Sequence, residues 1–139
     1  MVVHNLAEYV AYHQAKLRKE QAAAAGRPSP ARKSGVNEIH SKSSFDTSIG
    51  SSDKLIVLDC FATWCGPCKV IAPEVARLSE EYKDQAEFYK VDVDQVPDLA
   101  QELSVRAMPT FMLFKNGEKV AEVVGADKNA LRKRITENL

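Results

Sequence analysis

The apolar positions of this chain fall into blocks whose spacing predicts strands and helices in alternation. A nearly continuous apolar run over Lys54–Phe61 predicts a strand that is buried on both faces and therefore central in its sheet. The next stretch, Pro67–Tyr82, predicts a helix with Pro67 in its first turn, where the ring is tolerated. We expect Pro73 to kink this helix. Its apolar positions are Val70, Ile71, Val75 and Leu78.

Shorter patterns complete the predicted fold. Asn116-Gly117 is a strong hairpin signal, because both residues tolerate the positive φ angles of a tight turn. Strands are predicted at Val36–Ile39, Ala86–Asp92, Thr110–Lys115 and Lys119–Val124, and further helices at Ser43–Ile49, Pro97–Leu103 and Asp127–Asn138. Ser43 and Asp127 are the expected caps of two of these helices. Strands joined through helices pair in parallel, whereas a hairpin is antiparallel, so we predict an α/β fold with a mixed sheet and helices on both faces.

A helix over residues 5–25 is predicted ahead of this alternating pattern, and a Gly- and Pro-rich linker, Gly26–Pro30, ends it. The chain therefore divides into an N-terminal helical extension with its linker, residues 1–34, and one domain, residues 35–139. Three interpretations of the extension stay open: a mitochondrial presequence, a helical arm that docks on a partner or on a second copy, and a passive segment. Its two glutamates weigh against the first interpretation, because presequences are poor in acidic residues.

Length, charge and cysteine count narrow the class of protein. A chain of 139 residues suits one compact domain with its own core. The net charge is zero, and no basic stripe interleaved with aromatic residues indicates nucleic-acid binding. No apolar run approaches the roughly 20 residues of a membrane span, and the start lacks the apolar block of a secretory signal. Three cysteines do not suit the disulfide framework of a secreted protein, so we expect a reducing compartment.

The segment Cys65-Gly66-Pro67-Cys68 carries the chemistry that the sequence predicts. It lies where the central strand gives way to a helix, so the sulfur of Cys65 is expected at the helix N-terminus. Unpaired N–H groups and the helix dipole favour a negative charge there, and the thiolate is the nucleophile of disulfide exchange. We therefore expect Cys65 to be exposed and reactive. The alternative is a pair of zinc ligands, but zinc needs four, and only Cys60 and His40 are candidates for recruitment.

Asp59 is the second chemical feature of this region. It lies six residues before Cys65, near the end of the apolar run. Burial raises the pKa of a carboxyl group, so Asp59 is a candidate to take up and return the proton of Cys68. The alternative is a solvated carboxylate at the end of the strand. Cys60, beside it, is expected to be a buried and inert thiol, although a regulatory role stays open.

A set of motifs, in one order and spacing, resembles the thioredoxin family from about Gly35 to Leu139. The segments that carry the resemblance are Asp59-Cys60-Phe61-Ala62-Thr63-Trp64-Cys65-Gly66-Pro67-Cys68-Lys69, Lys90-Val91-Asp92-Val93-Asp94, Met108-Pro109-Thr110, Phe114-Lys115-Asn116-Gly117 and Val124-Gly125-Ala126. Two positions depart from the family pattern. Cys60 stands where an aromatic residue is usual, and Phe61 stands where many members have a second tryptophan. The resemblance implies the thioredoxin fold, with the mixed sheet flanked by helices.

The resemblance also implies roles for individual residues. Cys65 attacks a disulfide of a client protein, and Cys68, deeper in the helix and more buried, resolves the mixed disulfide. Gly66 and Pro67 favour a reductant over an oxidase, and Lys90 lies near Asp59 and tunes it, unless it is an ordinary surface lysine. The Met108-Pro109 peptide is expected to be cis and to face the disulfide. The expected client-binding residues are Trp64, Gly66, Met108, Pro109, Val124, Gly125 and Ala126.

The implied function is a protein-disulfide reductase that an NADPH-dependent thioredoxin reductase regenerates. Its clients would be disulfide-containing proteins, such as enzymes of the peroxiredoxin or reductase type. No glycine-rich nucleotide loop is present, so we expect no flavin or nicotinamide cofactor and no metal. We expect no nucleic-acid or membrane partner. The expected compartment is the cytoplasm, or the mitochondrion if residues 1–34 are a presequence. The alternative function is a redox-silent interaction module or holdase with the same fold.

Overall fold

The computed structural model describes residues 35–139. The helix predicted over 5–25, its linker and the interpretations of the extension lie outside these residues. The described elements alternate as predicted. They are β1 (Val36–Ile39), α1 (Lys42–Gly50), β2 (Leu55–Phe61), α2 (Gly66–Glu81), β3 (Ala86–Asp92), α3 (Pro97–Glu102), β4 (Thr110–Lys115), β5 (Glu118–Val124) and α4 (Lys128–Asn138). Each lies within two residues of its predicted bounds.

The five strands form one mixed sheet in the order β1-β3-β2-β4-β5. β3 pairs in parallel with β1 and β2, whereas β4 is antiparallel to β2 and β5. The apolar run of β2 therefore lies in the centre, with a neighbour on each side, as its lack of polar alternation predicts. Together with the flanking helices, this sheet confirms the predicted thioredoxin fold.

Alternate residues of β2 supply the two cores. Leu55 and Val57 face one core, in which Val75 of α2 and Leu131 of α4 pack. Side chains of opposite parity, such as Leu58, face the second core together with residues of α1 and α3. Because successive side chains of a strand point to opposite faces, Asp59 belongs to the face that α2 and α4 cover. This parity brings Asp59 to the side of the sheet that carries the cysteine pair.

Local sequence signals explain most of the turns and caps. Asn116 and Gly117 both have positive φ angles, 54° and 82°, as a two-residue hairpin turn between β4 and β5 requires. Asp127 caps α4 as predicted, because its side chain accepts the Ala130 N–H at 3.0 Å. The prediction that Ser43 caps α1 is wrong. Ser41 is the extended residue before the helix, and its hydroxyl accepts the Ser44 N–H at 3.1 Å.

The helix α2 runs from Gly66 to Glu81 without a break at Pro73. Its apolar positions separate into two groups. Ile71, Val75 and Leu78 are buried in the core, whereas Val70 is 79% exposed. Among the described residues, no helix combines the length and the apolar character that crossing a membrane requires.

Candidate active site

The two cysteines of the CxxC segment meet at the first turn of α2. Cys65 is the N-cap residue of this helix, and its sulfur accepts the backbone N–H of Cys68 at 3.2 Å. The two residues form a disulfide, with their Cα atoms 5.3 Å apart. The first sulfur therefore lies at the helix N-terminus, as the sequence predicts. An anionic sulfur at this position would receive a hydrogen bond and meet the positive end of the helix dipole.

The burial of the two cysteines differs from the expectation. Cys65 is 4% exposed and Cys68 is 5% exposed, so Cys65 is not exposed and Cys68 is not the more buried residue in the disulfide form. The covalent bond places the two sulfurs in contact, so each covers part of the surface of the other. Ala62 completes a small apolar cluster with them, and partly buried residues pack against it, namely Phe61, Val93 and Met108. The position along the helix, rather than exposure, therefore distinguishes the two sulfurs.

Asp59 is buried on the face of the sheet that α2 covers, with 6% of its surface exposed. The interpretation as a solvated carboxylate at the end of the strand is wrong. Burial raises its pKa from the ordinary value of 3.8 to about 7, and the positive charge of Lys90 opposes part of this rise. The atom Oδ1 has no hydrogen-bond partner within residues 35–139. A carboxyl group in this state exchanges a proton near neutral pH.

Lys90 lies beside Asp59 because of the strand register. Asp59 of β2 pairs with Lys90 of β3, and Phe61 follows two residues later on the same face. Lys90 is half-buried, and its Nζ lies 5.6 Å from the centroid of the Phe61 ring. It is therefore not an ordinary surface lysine.

Cys60 points to the opposite face of β2 and is fully buried. Burial raises the pKa of its thiol to about 12, and the negative charges of Asp59 and Glu122 add to the rise. A thiol in this state holds its proton and is a poor nucleophile. The structure thus supports the prediction of an inert thiol.

Around the disulfide, the surface contains exposed apolar groups and an indole that a hydrogen bond holds in place. Trp64 is 67% exposed, and its Nε1–H donates to Oδ2 of Asp94 at 2.9 Å. The Met108-Pro109 peptide is cis, as predicted. The carbonyl oxygen of Pro109 accepts the N–H of Gly125 at 2.8 Å, which joins the segment of Met108 to the segment of Val124 and Ala126.

The remaining predicted surface residues are open to solvent. Val124 is 60% exposed, and Ala126 and Pro67 are exposed as well. Gly66 is exposed, and a Cβ added to it would meet no atom within 4 Å. Its open side leaves space for a partner backbone next to Cys65.

Two residues of the site had no role in the sequence interpretation. Val93 packs on the disulfide cluster, and Asp94 holds the indole of Trp64. Both lie in the turn after β3, which the register brings next to the end of β2 through a hydrogen bond from the Val93 N–H to the Phe61 carbonyl. Their part of the chain is about thirty residues from Trp64, so only the strand pairing reveals the contact.

For the zinc interpretation, the geometry offers no support. Within residues 35–139, no group of three or more His, Cys, Asp and Glu side chains is arranged to hold a metal ion. His40, one of the two candidates for recruitment, instead lies 3.4 Å from a carboxylate oxygen of Glu38 and is largely exposed.

These features define a class of protein. A CxxC disulfide at the start of a helix, directly after the central strand of a mixed sheet and on the same side of that sheet as a buried acid, is the site of a thiol-disulfide oxidoreductase with the thioredoxin fold.

Comparison with known proteins gives the family. The thioredoxin family model matches residues 36–137. Thioredoxin-1 of Saccharomyces cerevisiae is 52% identical over 103 residues, which are 74% of this chain and 98% of that protein. The solved thioredoxin of Fasciola hepatica has a TM-score of 0.73 and 41% identity, and the match covers 75% of this chain and 100% of that one.

A further match comes from a structure that concerns the thiol resolving mechanism in yeast mitochondrial 1-Cys peroxiredoxin via the glutathione and thioredoxin systems. It has a TM-score of 0.69 and 38% identity, and it covers 73% of this chain and 94% of that one. The chain belongs to the thioredoxin family. It is a protein-disulfide reductase that works by dithiol-disulfide exchange through Cys65 and Cys68.

Proposed function

We propose that Cys65 is the attacking sulfur of this reductase and that Cys68 is the resolving one. The observation that carries the assignment is the N-cap position of Cys65, whose sulfur accepts the Cys68 N–H. A thiolate is stabilised by this hydrogen bond and by the helix dipole, whereas Cys68 lies within the first turn. Cys65 also adjoins Trp64 and Gly66, which are both exposed and leave room for a client.

The proposed reaction has two exchange steps. The Cys65 thiolate attacks one sulfur of the client disulfide, which forms a mixed disulfide and releases the other client sulfur as a thiolate that takes up a proton. Cys68 then loses its proton and attacks the sulfur of Cys65. The second client sulfur leaves and is protonated, so the client gains two electrons and two protons. The product in this protein is the Cys65–Cys68 disulfide.

Asp59 is the proposed proton acceptor for Cys68. A base is most effective when its pKa lies near the working pH, and burial raises the pKa of Asp59 to about 7. Lys90 tunes the group, because its positive charge favours the ionised carboxylate. Pro67 carries no titrating group between the two cysteines, so it adds nothing that would stabilise the Cys65 thiolate further. This supports a reducing rather than an oxidising protein.

The proposed client-binding surface consists of the exposed residues around the disulfide. Trp64 and Val124 are exposed large apolar residues of this surface, and Met108 packs on the cysteine cluster. The hydrogen bond between the Gly125 N–H and the Pro109 carbonyl holds these two segments of the surface together. Ala126 is small and Gly66 has no side chain, and both are exposed, which suits the approach of an extended client backbone.

The proposed partners follow from the chemistry. A disulfide product needs a source of two electrons, so we assign its regeneration to an NADPH-dependent thioredoxin reductase. A structurally similar chain comes from work on a peroxiredoxin and the thioredoxin system, which supports peroxiredoxin-type enzymes as clients. Reductase-type enzymes are further candidates. The proposed compartment is a reducing one, the cytoplasm, since two of the three cysteines must return to the thiol state for each turnover.

Trapping tests the assignment of the two cysteines. A Cys68→Ser variant lacks the resolving thiol, so we expect it to accumulate a mixed disulfide between Cys65 and a model client such as insulin. The matched control is Cys65→Ser, which should trap nothing. A Cys60→Ala variant should trap like its parent in the Cys68→Ser background. Equal trapping by Cys65→Ser and Cys68→Ser would contradict the assignment.

The proton-transfer role needs a separate measurement. We expect Asp59→Asn to slow insulin reduction at pH 7 by about a hundredfold, the lower range for loss of a positioned base. The pH dependence near 7 should disappear with it. An unchanged rate and pH profile would remove Asp59 from the mechanism and leave the roles of the cysteines intact.

A further inference from the structure

Phe61 has two neighbours that the reaction uses. On one side, it packs against the cluster formed by Ala62, Cys65 and Cys68. On the other side, the Nζ of Lys90 lies 5.6 Å from its ring centroid, within the range of a cation–π interaction. The Phe61 side chain therefore contacts the cluster that contains the disulfide and lies near Lys90, the only lysine that acts on Asp59 within the described residues.

The register of the sheet fixes this arrangement. Asp59 pairs with Lys90 across the parallel strands β2 and β3, so both side chains lie on one face. Phe61 is two residues further along β2 and shares that face. A lysine side chain is long and flexible, and free rotation would let its ammonium group leave for solvent. The ring offers the ammonium group a partner that keeps it over the sheet, near the carboxylate.

Among the described residues that neighbour Asp59, Lys90 is the one that carries a positive charge. On the other neighbouring strand, β4, Asp59 pairs with Phe111, which is apolar and buried. The disulfide of α2 carries no charge. On β2 itself, Cys60 holds its proton, and Glu122 of β5 acts on Cys60. A contact that holds the Lys90 ammonium group in place therefore determines the positive charge next to the Asp59 carboxylate.

We propose that Phe61 is a positioning residue, whose ring holds the Lys90 ammonium group beside Asp59. The inference rests on the proposed role of Asp59 in proton transfer. It assigns an electrostatic role to a side chain that also packs against the cysteine cluster. It also explains how a half-buried lysine stays beside a carboxylate without a direct hydrogen bond to Oδ1, which has no such partner within residues 35–139.

The test is a direct titration of Asp59 by carboxyl-carbon NMR in the oxidised protein. Lys90→Met should raise the titration midpoint by about one pH unit, the lower range for loss of an adjacent opposite charge. Phe61→Leu should raise it by about half of that interval or more. The double variant should titrate like Lys90→Met alone, because Phe61 acts through Lys90. Phe61→Tyr keeps the ring and should restore the wild-type midpoint.

A second substitution separates electrostatics from packing. Replacing Phe61 with 3,4,5-trifluorophenylalanine keeps the shape of the ring but weakens the attraction of its face for a cation. We expect the midpoint of Asp59 to rise as in Phe61→Leu. If Phe61→Leu does not fold, the fluorinated variant still tests whether the ring holds Lys90 beside Asp59. A wild-type midpoint in the fluorinated protein, together with a raised one in Lys90→Met, would overturn the proposal.

A failure of the proposed proton-transfer role of Asp59 would be detected by a different measurement, the insulin assay. If Asp59→Asn reduces insulin at the wild-type rate and pH profile, Asp59 is not the proton acceptor. The NMR midpoints of the Phe61 and Lys90 variants would still report whether the ring holds the lysine. The two results are therefore independent.

Discussion

Asp59 should make this protein less stable at neutral pH than an uncharged residue of the same shape. The group is 6% exposed, and burial raises its pKa from 3.8 to about 7. Between these two values, the folded protein keeps a proton on Asp59 that the unfolded chain has lost. Unfolding then releases a proton, so rising pH favours the unfolded chain throughout this window. Well below pH 3.8 both states hold the proton, and the effect vanishes.

The magnitude follows from the size of the pKa change. One pKa unit corresponds to about 1.4 kcal/mol, so a rise from 3.8 to about 7 corresponds to about 4 kcal/mol once the pH exceeds both values. The substitution Asp59→Asn removes the titrating group and retains its shape. We expect it to raise the free energy of unfolding by about 4 kcal/mol at pH 8.5, by about half as much near pH 5.5, and by only about 0.5 kcal/mol at pH 4.

Urea denaturation of the oxidised protein at pH 4, 5, 6, 7 and 8.5 measures this difference. The disulfide has to stay intact at each pH, so that both proteins unfold from the same redox state. The matched control is Asp84→Asn, because Asp84 is exposed in the folded protein. Its effect on the free energy of unfolding should not vary with pH. The reasoning would be refuted if Asp59→Asn gave the same difference at every pH, or if it destabilised the protein at pH 8.5.

Three further predictions concern other parts of the structure. Cys60 should not react with iodoacetamide at pH 8 in the reduced, folded protein, because it is fully buried and its pKa is raised to about 12. Mass spectrometry should find the label on Cys65, and modification of Cys60 before unfolding would contradict the prediction. Leu131→Ala should destabilise the protein by about 2–5 kcal/mol, because the leucine is fully buried between α4 and the sheet; a urea midpoint equal to that of the wild type would contradict this packing. Asp127→Ala should cost about 1 kcal/mol through loss of the bond to the Ala130 N–H, whereas Asp127→Asn should retain most of it; equal losses in the two variants would show that capping is not the cause.

Local sequence signals predicted the parts of the fold that local chemistry determines. The unbroken apolar run placed β2 in the centre of the sheet, and Asn116-Gly117 fixed the hairpin, because each depends on a few adjacent residues. The N-cap position of Cys65 could also be predicted, since it needs only a strand followed by a helix. Ser43 was the wrong cap, because three nearby serines compete and the backbone conformation selects Ser41.

Contacts that depend on pairing between distant segments could not be predicted in this way. The bond between Trp64 and Asp94 needs the turn after β3 to lie beside the end of β2. The position of Lys90 over the Phe61 ring needs the parallel register, and a shift of one residue would turn Lys90 to the other face. The burial of Cys65 was missed for a related reason, because Met108, which packs on its cluster, comes more than forty residues later.

The position of Asp59 connects the stability of the protein with its chemistry. A carboxyl group at an apolar site of the central strand destabilises the fold at neutral pH, and Lys90 offsets only part of this cost. The same burial brings its pKa to about 7, where the group can both accept and return a proton. A hydrogen bond to Oδ1 or a closer positive charge would stabilise the carboxylate, lower the pKa and weaken the group as a base. A variant that is more stable at pH 8 because Asp59 is better paired should therefore be a slower reductase.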